Sequence, residues 1–262
     1  MPMNNRLLRP TAGLDIATVN FMQASGATDV ASVDRLVRDL KAQNLWDYAR
    51  FYPMKSAQNA GSGSTVYGLG GLTSNNMTLV NSPTWGSDGV TFNGSTQYGE
   101  MPSADDFDFE YTDSFAWFAN ASTTSGGTQA IFGKQDTVLN QVRGYSALLI
   151  TGDRFDLQSQ SGNNLSKFTV AAFTQDSFYT RGYLYVGSAS PSASSLTILI
   201  DGSPVATNVN NDSLTATIST SAKFRVGGRG DAALSIPFSG TIQTVFGVKA
   251  VITTAQREAI TD

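Results

Sequence analysis

Asp105-Asp106-Phe107-Asp108-Phe109-Glu110-Tyr111-Thr112-Asp113-Ser114-Phe115-Ala116-Trp117-Phe118 is the stretch that decides the fold. An acidic, aromatic loop runs directly into an apolar, aromatic strand. Outward from it the chain keeps to one pattern. From about Met77 onward, short apolar runs alternate with turns rich in Gly, Asn, Asp and Ser, which is how a β-sandwich reads. Phe155-Asp156-Leu157-Gln158-Ser159-Gln160 and Leu196-Thr197-Ile198-Leu199-Ile200 alternate as strands do when one face is buried and the other wet. Asp201-Gly202 is a hairpin turn signal, and Thr253-Thr254-Ala255-Gln256 opens a capped terminal helix.

The front of the chain has a different period. Over residues 28–46, Val30, Val33, Leu36, Val37 and Leu40 recur at helical spacing, with Asp34, Arg35, Arg38, Asp39 and Lys41 on the opposite face. Thr28 or Asp29 supplies the cap, and a shorter helix is expected from Asp15 to Ala24, closed by Ser25-Gly26. The region ends at Leu45-Trp46 and Pro53. Its apolar face is too small to make its own core, so it must pack on the sandwich, a sister copy or a larger particle. Residues 56–76 are rich in Gly and Ser and read as a flexible connector or an irregular ordered loop. The expected organisation is therefore an α-helical head over 1–55, a joint over 56–76 and a sandwich over 77–262.

Composition narrows the chemistry. Among 262 residues there is no cysteine and no histidine, which removes disulfides, thiolate and imidazole metal sites, and Ser-His or Cys-His catalysis. The balance of 17 basic against 21 acidic residues argues against general nucleic-acid binding. Residues 1–55 carry seven basic against five acidic side chains, a net of +2, so −6 falls on the remainder. The start lacks the apolar core of a signal peptide, and no run is long enough to span a bilayer. The five Asn-x-Ser/Thr triplets, at Asn76, Asn93, Asn120, Asn164 and Asn211, then belong to an Asn-, Ser- and Thr-rich β surface without a secretory route.

Two resemblances follow. Asp105–Phe118 resembles the approach loop and following strand of the laminin-G-like, concanavalin A-like jelly rolls. Val90–Gly94, Ile131–Lys134, Gly144–Ile150, Leu199–Val205, Phe224–Gly228 and Phe238–Ile242 fall in that family's order. The implied fold is mainly β, an antiparallel jelly-roll β-sandwich of concanavalin A-like type, preceded by the small α-helical head. Phe21–Asp29, Leu36–Lys41, Leu45-Trp46-Asp47, Ser56–Gly61 and Tyr67–Leu72 resemble the helical front and joint of certain tailed-phage virion proteins. That second resemblance implies a virion location, other virion proteins as partners, and head decoration or tail and fibre adhesion as the role. It brings no catalytic residues with it.

Four candidate sites remain. Asp106, Asp108 and Glu110 alternate, and on a strand i and i+2 lie about 6.6 Å apart, against the 5–5.5 or 6.5–9.5 Å of retaining and inverting glycosidases. This carboxylate hydrolase is the alternative from another class; a solvated loop is the reading taken, so no catalytic residue is expected. Tyr183 and Tyr185 alternate with Leu184 and Val186, and with Gln158 and Gln160 they make the candidate glycan-binding face, rings covering sugar C–H faces and amides bonding hydroxyls. Cross-strand packing is its alternative, as a free-standing lectin is for the whole chain. Val30, Val33, Leu36, Val37, Leu40 and Trp46 are the candidate assembly interface of a homo-oligomer, against packing within the chain. Arg229-Gly230-Asp231 reads as a turn. No metal or cofactor is expected, and no membrane or nucleic-acid partner. The expectation is a non-enzymatic virion surface protein, its jelly roll exposed to host glycans.

Overall fold

The computed structural model describes residues 13–73, 75–138, 141–159, 164–170, 173–214, 216–230 and 236–261. Two antiparallel sheets pack face to face. The first has the order β14 (Ser203–Pro204), β13 (Leu196–Ile200), β12 (Tyr179–Tyr185), β7 (Phe115–Thr123), β17 (Ser239–Val248), β5 (Gly89–Asn93), β4 (Thr84–Gly86). Strand β1 (Ala49–Pro53) also pairs with β17, on the stretch Thr244–Val248, while β5 pairs with Ser239–Ile242. The second sheet has the order β15 (Thr207–Asp212), β11 (Asn164–Thr169), β10 (Asp153–Gln158), β9 (Gln141–Leu149), β8 (Gln129–Val138), β16 (Arg225–Val226), β6 (Tyr98–Glu100), β3 (Met77–Val80), β2 (Thr65–Val66). The chain is mainly β, an antiparallel sandwich, as its alternating runs imply.

The core between the sheets is dominated by rings. Trp117 stacks on Phe224 at 4.6 Å, and Phe155 on Tyr183 at 4.8 Å. Phe107 and Phe109 from the acidic stretch reach into the same core, Phe107 lying 4.9 Å from Trp117. Offset and edge contacts of this kind add roughly 0.5–1.5 kcal/mol per pair to the burial itself.

Helices cover the outside of the first sheet. α1 (Ile16–Ser25) starts under Asp15, whose carboxylate accepts from Ala17 N, and stops at Gly26, a left-handed residue whose N–H donates to Met22 O. α2 (Val30–Ala42) is capped by Asp29, which accepts from Ser32 N. Lys41 pairs with Asp15 at 2.6 Å and ties the two helices together. Val33 and Val37 pack on Phe21, Ala27 and Leu69; Leu40 packs with Ala116, Phe118, Phe246 and Val248 on the outer face of the sheet. The last helix, α3 (Thr254–Thr261), docks beside them, Gln256 Nε2 donating to Gln43 O.

The expected boundaries change accordingly. Residues 1–55 do not end in a separate head, because β1 is a strand of the first sheet, with Phe51 opposite Phe246. Residues 56–73 and 75–76 form an ordered loop rather than a flexible connector. Buried Asn59 donates to Pro53 O and Tyr67 O and accepts from Tyr67 N, closing the Gly/Ser-rich turn on itself, and β2 pairs with β3. Arg50 crosses the same loop to donate to Gly70 O and Asn75 O.

Candidate functional site

The acidic stretch forms a loop. Phe107 takes a positive φ of 55°, a turn conformation that breaks the strand alternation on which the hydrolase alternative depends. Each carboxylate then serves a different neighbour. Asp106 accepts from Thr73 Oγ1, Asn75 Nδ2 and Ser103 N. Asp108 accepts from Ser219 Oγ and Thr220 N and pairs with Lys134 at 3.3 Å. Glu110 accepts from Thr217 Oγ1. Lys134 is fully buried, its ammonium also donating to the carbonyls of Ala104, Thr220 and Ala222. Burial pushes its pKa below the usual lysine value, against the upward pull of Asp108. Asp108 and Glu110 thus staple the loop to the segment over 217–222, and Asp106 ties it to Thr73 and Asn75.

The tyrosines expected to meet a glycan point the other way. Tyr183 and Tyr185 lie inside the core, opposite Trp117 and Phe115 across the β12–β7 pair. Tyr183 hydroxyl donates to Asp153, and Tyr185 hydroxyl to Tyr111 O at 2.6 Å. Burial raises both hydroxyl pKa values. The physical reason is the helical cover: an outer face lying under α2 also needs apolar residues, and Leu184 joins the cluster of Phe118, Leu199 and Phe246 there. Alternation between aromatic and aliphatic residues therefore does not distinguish inside from outside in this strand.

The candidate assembly interface is likewise used within the chain. Val33, Val37 and Leu40 are buried, and Leu36 and Trp46 are half-buried against the sheet and Phe51. Only Val30 of the set is exposed, at 37%. With this face the helix covers the first sheet of its own chain.

The outward face of the second sheet is different. Register aligns Thr78, Glu100, Arg225, Gly133, Ser146, Asp156, Ser166 and Asn211 in a single row across eight strands. Phe155 and Leu157 face the core, so Asp156 and Gln158 face out, as their alternation predicts. Small residues at Gly133, Ser146 and Ser166 make a floor, and longer side chains stand around it. Arg154 Nε and Ser166 Oγ both donate to Asp156, at 2.6 and 2.5 Å, and both bonds end on Oδ1. Gln135 Nε2 donates to Gln158 Oε1 at 2.9 Å. Gln135 Oε1 and Ser146 Oγ are buried without a hydrogen-bond partner. Next along the strands, Arg154 and Phe168 line a hollow of about 200 Å³ with Ile150, Thr151 and Gly152. Farther across, the Arg225 guanidinium pairs with Glu100 and lies 4.6 Å over Tyr98.

Of the four expected glycan residues, then, Gln158 is on this face, Tyr183 and Tyr185 are in the core, and Gln160 lies outside the described residues. Sequence reasoning missed Asp156, Ser146, Arg154 and Phe168. The alternation of Phe155–Gln158 already placed Asp156 beside Gln158; the others needed strand register. Arg229 lies against Gly133 at the edge of the floor, and Asp231 is outside the described residues. Among the described residues no group of three or more acidic side chains is placed to hold a metal ion.

No protein-family model and no curated protein matches the chain. Solved structures do. The chain is similar to a Trypanosoma rangeli sialidase in complex with sialic acid, with 14% identity, a TM-score of 0.58, and coverage of 89% of this chain and 38% of that one. The same sialidase with the inhibitor DANA matches at 13% identity and a TM-score of 0.57. A Ruminococcus gnavus IT-sialidase CBM40 aligns over 58% of this chain with a TM-score of 0.45. The likeness is one of fold, and this chain spans about two fifths of the length of the sialidases it matches. It nevertheless corrects one expectation. The expectation of a non-enzymatic protein, drawn from missing motifs, is withdrawn: the structures that share this fold across 89% of the chain are sialidases, a likeness of fold that assigns this chain no activity of its own.

Proposed function

We propose that this chain is a glycan-binding jelly roll whose recognition surface is the outward face of the second sheet, around Arg154, Asp156, Gln158, Ser146 and Phe168. One observation carries the reading. Buried Ser146 Oγ and Gln135 Oε1 are two of the seven buried side-chain atoms without a hydrogen-bond partner among the described residues, and both belong to strands that carry the small-residue floor. An unsatisfied buried polar atom costs about 1–3 kcal/mol, and a hydroxyl-rich ligand relieves that cost. A sugar hydroxyl both donates and accepts, which suits a floor that mixes amide, carboxylate and guanidinium groups. Phe168, at the adjoining hollow, supplies the ring for a sugar C–H face that Tyr183 and Tyr185 do not.

The resemblance of residues 20–90 to tailed-phage virion proteins extends the proposal to the place of display: a phage particle, with other virion proteins as partners and host surface glycans as the target. The test is a glycan array probed with the full chain, sialylated glycans included, followed by Phe168→Ala and Ser146→Tyr on the best ligand. Loss of binding in both, with the thermal midpoint of Phe168→Ala little changed, supports the site. Full binding by both variants, or no binding by the parent chain, refutes it.

A further inference from the structure

A second concavity lies elsewhere, between the two sheets at the end where β10 and β12 begin and β11 and β13 finish. Its volume is about 420 Å³. Protein interiors leave few voids larger than a water molecule, and pockets that hold small ligands begin at about 300 Å³. The walls are apolar: Val170, Phe173, Ile200 and Val205, with the ring of Tyr179. Val170 at the mouth is 64% exposed, an unusual position for a large aliphatic side chain.

The floor is charged. Asp153, 3% exposed, lines the cavity together with Thr169, whose Oγ1 accepts from Asp153 N at 3.0 Å. Asp153 is held by Arg181, itself 1% exposed, and by the Tyr183 hydroxyl. Both bonds end on Oδ1, and Oδ2 has no hydrogen-bond partner among the described residues. Arg181 is fixed in turn, donating to Ala121 O and Tyr179 O, with its guanidinium 5.3 Å from the Tyr179 ring. A carboxylate this deep retains an unfilled acceptor site at the bottom of an apolar, open-mouthed cavity. Oδ2 is not among the fully buried side-chain atoms that lack a partner, so it is open to the cavity, where the donor of a ligand can reach it, and water is a poor occupant of the apolar walls.

We infer that this cavity is a ligand site, separate from the outward face, for a small molecule with a flat apolar body and one amine or hydroxyl group that donates to Asp153 Oδ2. The apolar walls take the body, Tyr179 stacks on it, and the single donor fixes its orientation.

The test uses the full chain in solution, with 2-phenylethylamine as the probe and propylbenzene as its counterpart lacking a donor. Amide shifts in the protein's NMR spectrum are followed through each titration. The expected result is saturable shifts at Tyr179 and Val205 with the amine, and a Kd at least tenfold higher for propylbenzene. Ala206→Trp places a ring at the exposed rim, away from the core, and is expected to abolish the shifts while the rest of the spectrum stays native. Absence of saturable shifts overturns the site, as does amine binding that survives Ala206→Trp. Equal affinity for propylbenzene overturns the role given to Asp153. The outward face plays no part in this experiment, so its outcome is independent of glycan binding.

Discussion

The two sheets of this sandwich are built from strands of similar composition and end in opposite states. The first is buried on both faces where β7, β17 and β1 lie under the helices, with rings of the core on one side and α2 on the other. The second is buried on one face and presents a polar row on the other. The helices account for the difference. A segment that reads by itself as an attachment head covers Ala116, Phe118, Phe246 and Val248, and the second sheet keeps the uncovered face. Covering one face also fixes what each strand must carry: Phe115–Ala119 of β7 and Tyr183–Tyr185 of β12 are apolar, whereas Phe155–Gln158 of β10 alternates apolar with polar.

The sharpest way to break the comparison is to charge the covered face. Leu40→Asp puts a carboxylate without a partner between α2 and the first sheet. It is expected to cost about 3–5 kcal/mol, read as a fall in the urea midpoint of the whole chain. If only the helical signal melts and the sandwich keeps its transition, the helices are an appendage and the account of the first sheet fails.

Alkaline pH probes the core between the sheets. Burial raises the hydroxyl pKa of Tyr52, Tyr145, Tyr183 and Tyr185 above the unfolded value, so the folded state holds these protons more tightly. Their contribution is complete below about pH 10 and is lost as the pH rises beyond it, by up to about 1.4 kcal/mol per pH unit for each tyrosine. Lys134 has the opposite sign: its folded pKa is lowered, so its contribution grows as the pH approaches about 10.4. Four tyrosines outweigh one lysine. The denaturation midpoint is expected to fall steeply above pH 10, and Tyr145→Phe to reduce that slope; an unchanged slope would contradict the burial of this ring.

Lys134→Met tests the staple at the acidic loop. It leaves three carbonyls and Asp108 without their ammonium, and a loss of about 1–3 kcal/mol is expected in the same denaturation experiment. Gln158→Ala, on the open face, is expected to weaken glycan binding by about five- to tenfold, the worth of a single hydrogen bond of about 1 kcal/mol, and to lower the midpoint slightly because buried Gln135 Nε2 loses its acceptor. The smallest effect belongs to Val30→Ser. Its side chain is the exposed member of the α2 face, and the change in stability is expected to stay within about 0.5 kcal/mol.

Local signals in the sequence were sound where one face of an element meets water. The helices α1 and α2, the second ending at Ala42 rather than at 46, the alternation of Phe155–Gln158 and the loop at Asp105–Glu110 are all legible for that reason. They failed where a second layer intervenes. Tyr183 and Tyr185 alternate with Leu184 whether the rings face in or out, and only the presence of α2 on the far side decides it. The apolar stripe of α2 states that it is covered but not by what. The floor of Ser146, Gly133 and Ser166 was beyond reach for another reason. Its members come from three strands, and nothing short of their register brings them together.

The most direct measurement is hydrogen exchange on the full chain, with and without the best ligand from the glycan array. The account predicts added protection in β9, β10 and β11, centred on Ser146, Asp156 and Ser166, with β7 and β12 unchanged. Protection confined to the α2 surface or the first sheet would contradict it.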